Sequence, residues 1–309
     1  MKEAVKCWHH PRQRTVTVLV LLLTVILYTH CMLLIVSEEK KTLFDFGQNT
    51  GLTCALLFFG IGRKFEAMAL PALKKNILDE NPSCDVFVHT YNVTRAQGKI
   101  KGEDGTGVIN ASEIFLMSTD HSKIMLESEE EFQIRRNVHH YRSLFPRPSS
   151  WDYTASMDNL VRQWHSIEQV WAMMETFEED NHQRYDIVGL LRSDVLFTHR
   201  ISINESLGGG VIPQSMYKTY HSWGGYNDRM FFGKREYAEC WSTERFTSLQ
   251  LYLLWQQTRK SVLITGLHSE DFLRWLLVFQ LSIPLRMDPI CFMRIRTSGA
   301  ISNDCGRPH

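Results

Sequence analysis

The chain has 309 residues and 34 basic against 34 acidic side chains, and with no basic stripe and no recognised binding motif nothing in it asks for nucleic acid as a partner. Its length suits one large domain, or two fused halves, behind an apolar N-terminal stretch. No pair of its seven cysteines has C-x-x-C spacing, which argues against a zinc ribbon or a thioredoxin-type site.

Thr15 to Val36 carries no charged side chain apart from His30. At ~1.5 Å per residue a helix of that length crosses a hydrocarbon core of about 30 Å. Lys2, Lys6, Arg12 and Arg14 precede it, and only Lys40 and Lys41 follow closely, behind Glu38 and Glu39. This asymmetry places the N-terminus in the cytosol. The run is too long for a signal peptide and lacks a small-residue cleavage site. The expected organisation is a cytosolic tail (1–14), an uncleaved membrane anchor (15–36), a short stem (37–51) and a lumenal domain (52–309). Asn92, Asn110 and Asn204 begin N-glycosylation sequons on the lumenal side, whereas the sequon at Asn81 is blocked by Pro82. Five cysteines fall there, Cys54, Cys84, Cys240, Cys291 and Cys305, so at most two disulfides form; Cys291 with Cys305, bracketing a short C-terminal loop, is the expected pair.

Leu52 to Phe59 is an apolar run of strand length, ended by Gly60-Ile61-Gly62. Phe65 to Leu78 has helical spacing, with Pro71 as a kink or a helix start. Cys84 to Tyr91 reads as a second buried strand, which makes a βαβ unit and a mostly parallel sheet covered on both faces. Glu113 to Met117 is a further candidate strand, and Ser128 to Val138 an exposed helix. In Asp158 to Phe177 the apolar positions 160, 161, 164, 167, 170, 171 and 174 fall at three- and four-residue steps, so Trp164 and Trp171 are expected in the core. Tyr185 to Asp194 is another buried strand with a polar tip. Gly208 to Pro213 and Tyr226 to Gly233 follow, then helices over Glu236 to Gln257 and Ser269 to Phe279.

In open parallel sheets ligands bind beyond the carboxyl ends of the strands. Three tips qualify: Gly60, Gly62 and Arg63; His89 and Tyr91; Arg192 and Asp194. The first lacks the full dinucleotide fingerprint and any phosphate-loop lysine, so it reads either as a nucleotide-approaching turn or as a plain β–α turn. The missing lysine also argues against a sulfotransferase. A carboxylate at a strand tip, such as Asp194, can hold a divalent cation bridging a diphosphate, and Arg192 can complement the same phosphates. The alternative for the two residues is a structural ion pair or a turn cap. Trp223, in a glycine loop, suits stacking on a sugar face or packing as a lid on the core. Glu270 and Asp271 open an apolar helix with Ser269 as the expected N-cap, which suits either a catalytic base or a stabilised helix terminus.

FFGIGR (58–63), DVFVHTY (85–91), RYDIVGLLRSDV (184–195), GGYNDRMFFG (224–233) and HSEDFL (268–273), in this order behind an N-terminal anchor, resemble the GT-A-type glycosyltransferase-like proteins of the secretory pathway, over roughly residues 52–305. The resemblance implies a Rossmann-like α/β fold, a nucleotide-sugar donor, often Mn²⁺ or Mg²⁺, a glycan, protein or lipid acceptor, and residence in the Golgi or endoplasmic reticulum membrane. It implies a donor-site role for Asp194, beside Arg192, a donor and acceptor loop over Gly225 to Gly233 that includes Asn227, Asp228 and Arg229, and a catalytic base at Asp271 or Glu270. Where the family's D-x-D metal motif would stand the chain has Ser193-Asp194-Val195, which leaves one carboxylate. That departure opens three alternatives: a further ligand such as Asp228 or a histidine, metal independence, or a non-catalytic lumenal binding or scaffold protein on the same fold.

Overall fold

The computed structural model describes residues 51–95, 107–144, 153–206, 209–213, 225–258 and 267–303. The expected anchor and most of the stem lie outside the described residues, as does Trp223; among the described residues no helix is long and apolar enough to cross a membrane.

Strand β1 (Cys54–Phe59) is buried at every position. Its side chains alternate between two cores, Leu56 and Phe58 to one face, Ala55, Leu57 and Phe59 to the other, which is why the run is apolar without alternation. A helix, α1, continues through Phe65–Ala69, Leu70–Leu73 and Lys74–Leu78. Pro71 is the second residue of its middle stretch, and the turns on either side are wide. Strand β2 (Asp85–Tyr91) runs parallel to β1 with Phe59 opposite His89. The strand expected over Glu113 to Met117 is instead a 3₁₀ stretch, Ala111–Met117, whose buried Ile114 and Met117 are three residues apart, the period that aligns side chains in such a turn. The third strand, β3 (Ile124–Glu127), comes just after it and pairs with β2 in parallel.

Helix α2 (Glu129–Arg135) begins with a Ser128–Glu131 capping box, and α3 (Val138–Leu144) follows. Helix α4 (Tyr153–Asp180) outruns its expected bounds at both ends and buries Val161, Trp164, Ile167, Val170, Trp171 and Met174, as the spacing requires. Strand β4 (Ile187–Arg192) lies parallel to β1 with Arg192 opposite Phe59. After β5 (Val195–Phe197) and β6 (Gly210–Pro213), β7 (Met230–Lys234) returns antiparallel to β4 with Met230 opposite Leu191. The single helix expected over Glu236 to Gln257 is two, α5 (Arg235–Thr247) and α6 (Leu249–Thr258), with Ser248 between them. Helix α7 (Ser269–Arg274) continues through the wide turn Trp275–Gln280. Short strands β8 (Leu285–Asp288), β9 (Phe292–Ile295) and β10 (Ile301–Asn303), which carry no clear sequence pattern, close the described chain.

The main sheet has the order β3-β2-β1-β4-β7-β6-β8, and β10-β9-β5 forms a smaller antiparallel sheet. Within the main sheet only the pairs made by β7 are antiparallel. Helix α1 packs on one face, and α4 and α5 on the other. The chain is therefore an α/β protein with a mostly parallel sheet flanked by helices. Because β7 is reversed, its start lies beside the carboxyl ends of β1, β2 and β4, so the segment entering β7 reaches the edge where ligands are expected. A disulfide, Cys54–Cys84, joins the starts of β1 and β2, and Cys291 is also disulfide-bonded.

Candidate active site

Strand β1 ends on Gly60, whose φ of +86° is a left-handed conformation that favours glycine. Gly60 N–H donates to Ser166 Oγ on α4 at 2.8 Å, and the turn brings Arg63 back across the tip of β4 to Asp194. Asp194 is 1% exposed and lies between two guanidinium groups. Arg63 bonds Oδ2, and Arg192 places Nε 2.6 Å from Oδ1 and Nη2 2.9 Å from Oδ2. Burial alone would raise this carboxyl, but Arg192 and Arg63 outweigh it and hold it below the ordinary range. Ser193 is equally buried; its N–H and hydroxyl both donate to the Phe59 carbonyl, at 2.9 and 3.1 Å.

The network continues through Gln163 on α4. Its Oε1 accepts from Arg192 Nη1 at 3.3 Å, and its Nε2 donates to the Asp228 carbonyl and to Asp228 Oδ2 at 3.0 and 3.1 Å. Arg229 places Nη1 3.4 Å from Asp228 Oδ1 and Nη2 3.5 Å from Glu270 Oε1. Asn227 acts locally, its Oδ1 accepting the Arg229 N–H at 3.0 Å, an Asx turn that sets the entry into β7. Gly225 lies against the first turn of α7: a Cβ there would come within 2.4 Å of the Glu270 carbonyl carbon. That approach allows Tyr226 N–H to donate to the Glu270 carbonyl at 2.9 Å. Two loops distant in sequence are thereby locked together at one edge of the sheet.

Four carboxyls at this edge sit in different states. Burial would raise Asp228, but Arg229, a hydrogen bond from Ser269, Arg192 and Arg245 hold it low. Burial and the charge of Asp228 push Glu270 up. Burial, then the charge of Glu270, raise Asp271 to about 7, against the pull of Arg274. A half-buried carboxyl poised near neutrality is what a general base requires. The neighbouring His268 is lowered to about 4 by burial and stays neutral.

The sequence-selected residues divide cleanly. Arg63, Arg192, Asp194, Asp228, Arg229 and Glu270 form one chain of contacts, with Asp271 adjoining it. Gly60 and Gly62 shape the first turn. His89 and Tyr91 stand apart: both are buried against α4, where His89 Nδ1 lies 2.8 Å from Ser166 Oγ and Tyr91 donates to the Arg162 carbonyl at 2.7 Å. His89 belongs instead to an interior group with His165 and Glu127. The N-cap of α7 is His268; Ser269, one residue into the helix, turns its hydroxyl to Asp228. The three sequon asparagines are exposed.

Gln163 and Arg245 were not singled out from the sequence, and Ser269 carried only a helix-capping role there. Arg245 left a trace there: in α5 and α6 the buried positions 238, 241, 242, 245, 249 and 252 follow helical spacing, which puts a cation inside the apolar stripe.

A divalent cation fits the described residues poorly. Position 193 offers a hydroxyl already bonded to a carbonyl, both oxygens of Asp194 face guanidinium, and among the described residues no group of three or more His, Cys, Asp and Glu is arranged to hold a metal.

No family model and no curated protein sequence matches the chain. Among solved structures it is similar to mouse xyloside xylosyltransferase 1 in its apo form, with a TM-score of 0.39 and 11% identity over 77% of this chain and 85% of that one. It is also similar to the galactosyltransferase LgtC in complex with donor and acceptor sugar analogs, with a TM-score of 0.38 and 10% identity over 81% and 87%. Likenesses at this level leave the chemistry to be read from the residues.

Proposed function

We propose that the chain is a glycosyltransferase that moves a sugar from a nucleotide-sugar donor to an acceptor hydroxyl. The observation that carries this reading is the meeting, at the carboxyl edge of a parallel sheet, of guanidinium groups suited to a diphosphate and a carboxyl at about 7 suited to deprotonating a hydroxyl. In the reaction the acceptor oxygen bonds to the anomeric carbon as the bond from that carbon to the phosphate oxygen breaks. The electron pair leaves on the diphosphate, whose charge Arg192 and Arg229 stabilise. The hydroxyl proton passes to Asp271. Glu270 and Asp228 hold Arg229 in place.

The family resemblance, the exposed sequons and the Cys54–Cys84 disulfide support placing this domain in the lumen of the endoplasmic reticulum or Golgi, behind a single-pass anchor at 15–36. Protease protection of a C-terminal tag in intact microsomes tests that topology, and digestion without detergent would refute it.

The full chain, purified in detergent, is to be assayed for acceptor-dependent release of nucleotide from UDP-, GDP- and CMP-sugars. One donor should turn over, and Asp271→Asn should cut the rate about 10²- to 10⁴-fold, the span of general-base catalysis, without lowering the melting temperature. A second reading, a non-catalytic binding protein, is favoured by one observation: both Asp194 oxygens are engaged by arginine. Donor binding without turnover across the panel would decide for it.

A further inference from the structure

The interior of the site holds a cation that the reaction above does not use. Arg245 is fully buried, and none of its three guanidinium nitrogens has a hydrogen-bond partner among the described residues. Its guanidinium lies 4.0 Å from the centre of the Trp241 ring and 5.9 Å from that of Trp164. Those contacts recover part of the cost of burying the charge but supply no counter-ion. The carboxylate that feels it is Asp228, which already serves Arg229, Gln163 and Ser269. A buried guanidinium in this position costs stability and gives the edge in front of it a positive potential that water cannot screen. Among the described residues no group of three or more His, Cys, Asp and Glu is arranged to hold a metal, and at the tip of β4 Ser193 is spent on the Phe59 carbonyl and Asp194 on Arg63 and Arg192. Further buried charge in place of metal ligands is what an anion site needs when no divalent ion accompanies the anion.

We propose that the donor's diphosphate is bound here by guanidinium groups without a divalent cation, with Arg245 a positioning residue that acts on the diphosphate through its field. This rests on the glycosyl-transfer reading and departs from the metal dependence that the family resemblance implies.

The test measures binding of uridine diphosphate and of guanosine diphosphate to the full chain in detergent, in EDTA and in Mn²⁺, for the wild type and for Arg245→Met and Arg245→Lys. One of the two nucleotides should bind equally well with and without the metal, and more weakly as salt rises. Arg245→Met should weaken it about tenfold, the loss expected for one buried charge acting over several ångströms. Its melting temperature should be equal to or above that of the wild type, because an unpaired buried charge has been replaced by an apolar chain. Arg245→Lys should keep most of the affinity. A merely structural Arg245 gives the opposite pattern, a lower melting temperature with unchanged affinity, and would overturn its assigned role. Binding that appears only with Mn²⁺ would overturn the metal-free site while leaving glycosyl transfer standing. Binding of neither nucleotide under either condition would overturn the diphosphate site, and glycosyl transfer falls with it if the CMP-sugars also give no turnover. Should Arg245→Met fail to fold, the wild-type comparison between EDTA and Mn²⁺ still decides the metal question.

Discussion

The two ends of the β4–β7 pair carry buried arginines in opposite circumstances. At the Ile187–Lys234 end, Arg235 is surrounded by acid. Its Nε and Nη2 bond Glu178 at 2.7 to 3.1 Å, Nη1 bonds Glu239 at 2.7 Å, and Nη2 reaches Glu175 at 3.1 Å, with Trp171 beneath. At the Leu191–Met230 end, two arginines share Asp194, Arg229 bridges two carboxyls at 3.4 and 3.5 Å, and Arg245 has no hydrogen-bond partner among the described residues. The first cluster has short, saturated contacts, the arrangement that stabilises a fold. The second mixes short contacts at Asp194 with long ones around Arg229, and it holds a cation, Arg245, whose guanidinium has no hydrogen-bond partner among the described residues. The same residue type is saturated by carboxylates at one edge, and at the other includes a guanidinium with no hydrogen-bond partner among the described residues, which is the contrast the proposed diphosphate site rests on.

Removing the charge at each end breaks the comparison most forcibly. Arg235→Met strands Glu178 among neighbouring carboxylates and should destabilise by about 3–5 kcal/mol. Chemical denaturation measures this, and nucleotide binding by the folded fraction should be unchanged. An Arg235→Met protein as stable as wild type would erase the distinction. Gly225→Ala sharpens it. A methyl group within 2.7 Å of the Glu270 and Asp271 backbone must push the β7 entry away from α7. The expected cost is about 1–3 kcal/mol of overpacking, together with a fall in turnover larger than the fall in stability. Turnover equal to wild type would show that the Arg229–Glu270 contact is dispensable.

A further effect, spread over pH and partly screened because the carboxyl is half-buried, concerns Asp271. In the folded chain the Asp271 carboxyl sits at about 7, above its ordinary unfolded value near 4. The native state therefore holds this proton more tightly than the unfolded state, and the group's contribution to stability falls as pH rises from about 4 to 7 and is level above that. Asp271→Asn removes the penalty. Its melting temperature should match wild type near pH 4 and rise above it as pH passes from about 4 to 7, while wild-type turnover rises through pH 7. A melting difference that is constant with pH would show that the carboxyl is not raised.

Much of this was legible in the chain. β1 is apolar without alternation because both faces are covered, and the tryptophans of α4 announced their burial by spacing. The polar tips of β1 and β4, picked by the strand-end rule, lie at one edge together with the Asn227–Arg229 and Glu270–Asp271 segments, which the family resemblance pointed to. His89 and Tyr91 were selected by the same rule, but their side chains turn into the core beneath α4, because strand position fixes a residue's height and not which way it faces. Gln163 and Arg245 escaped because each earns its place through partners distant in sequence: Gln163 joins two loops, and Arg245 differs from a surface arginine only in the phase of its helix. The short strands after Pro284 carry no period long enough to read.

The most direct test is a crystal structure of the full chain with the nucleoside diphosphate it binds, grown in EDTA. The account predicts phosphate oxygens within hydrogen-bond distance of Arg192 or Arg229, with Asp271 facing the space where the sugar's anomeric carbon would lie. Phosphate held at another face of the sheet, or at this edge with Asp271 turned away from it, would contradict it.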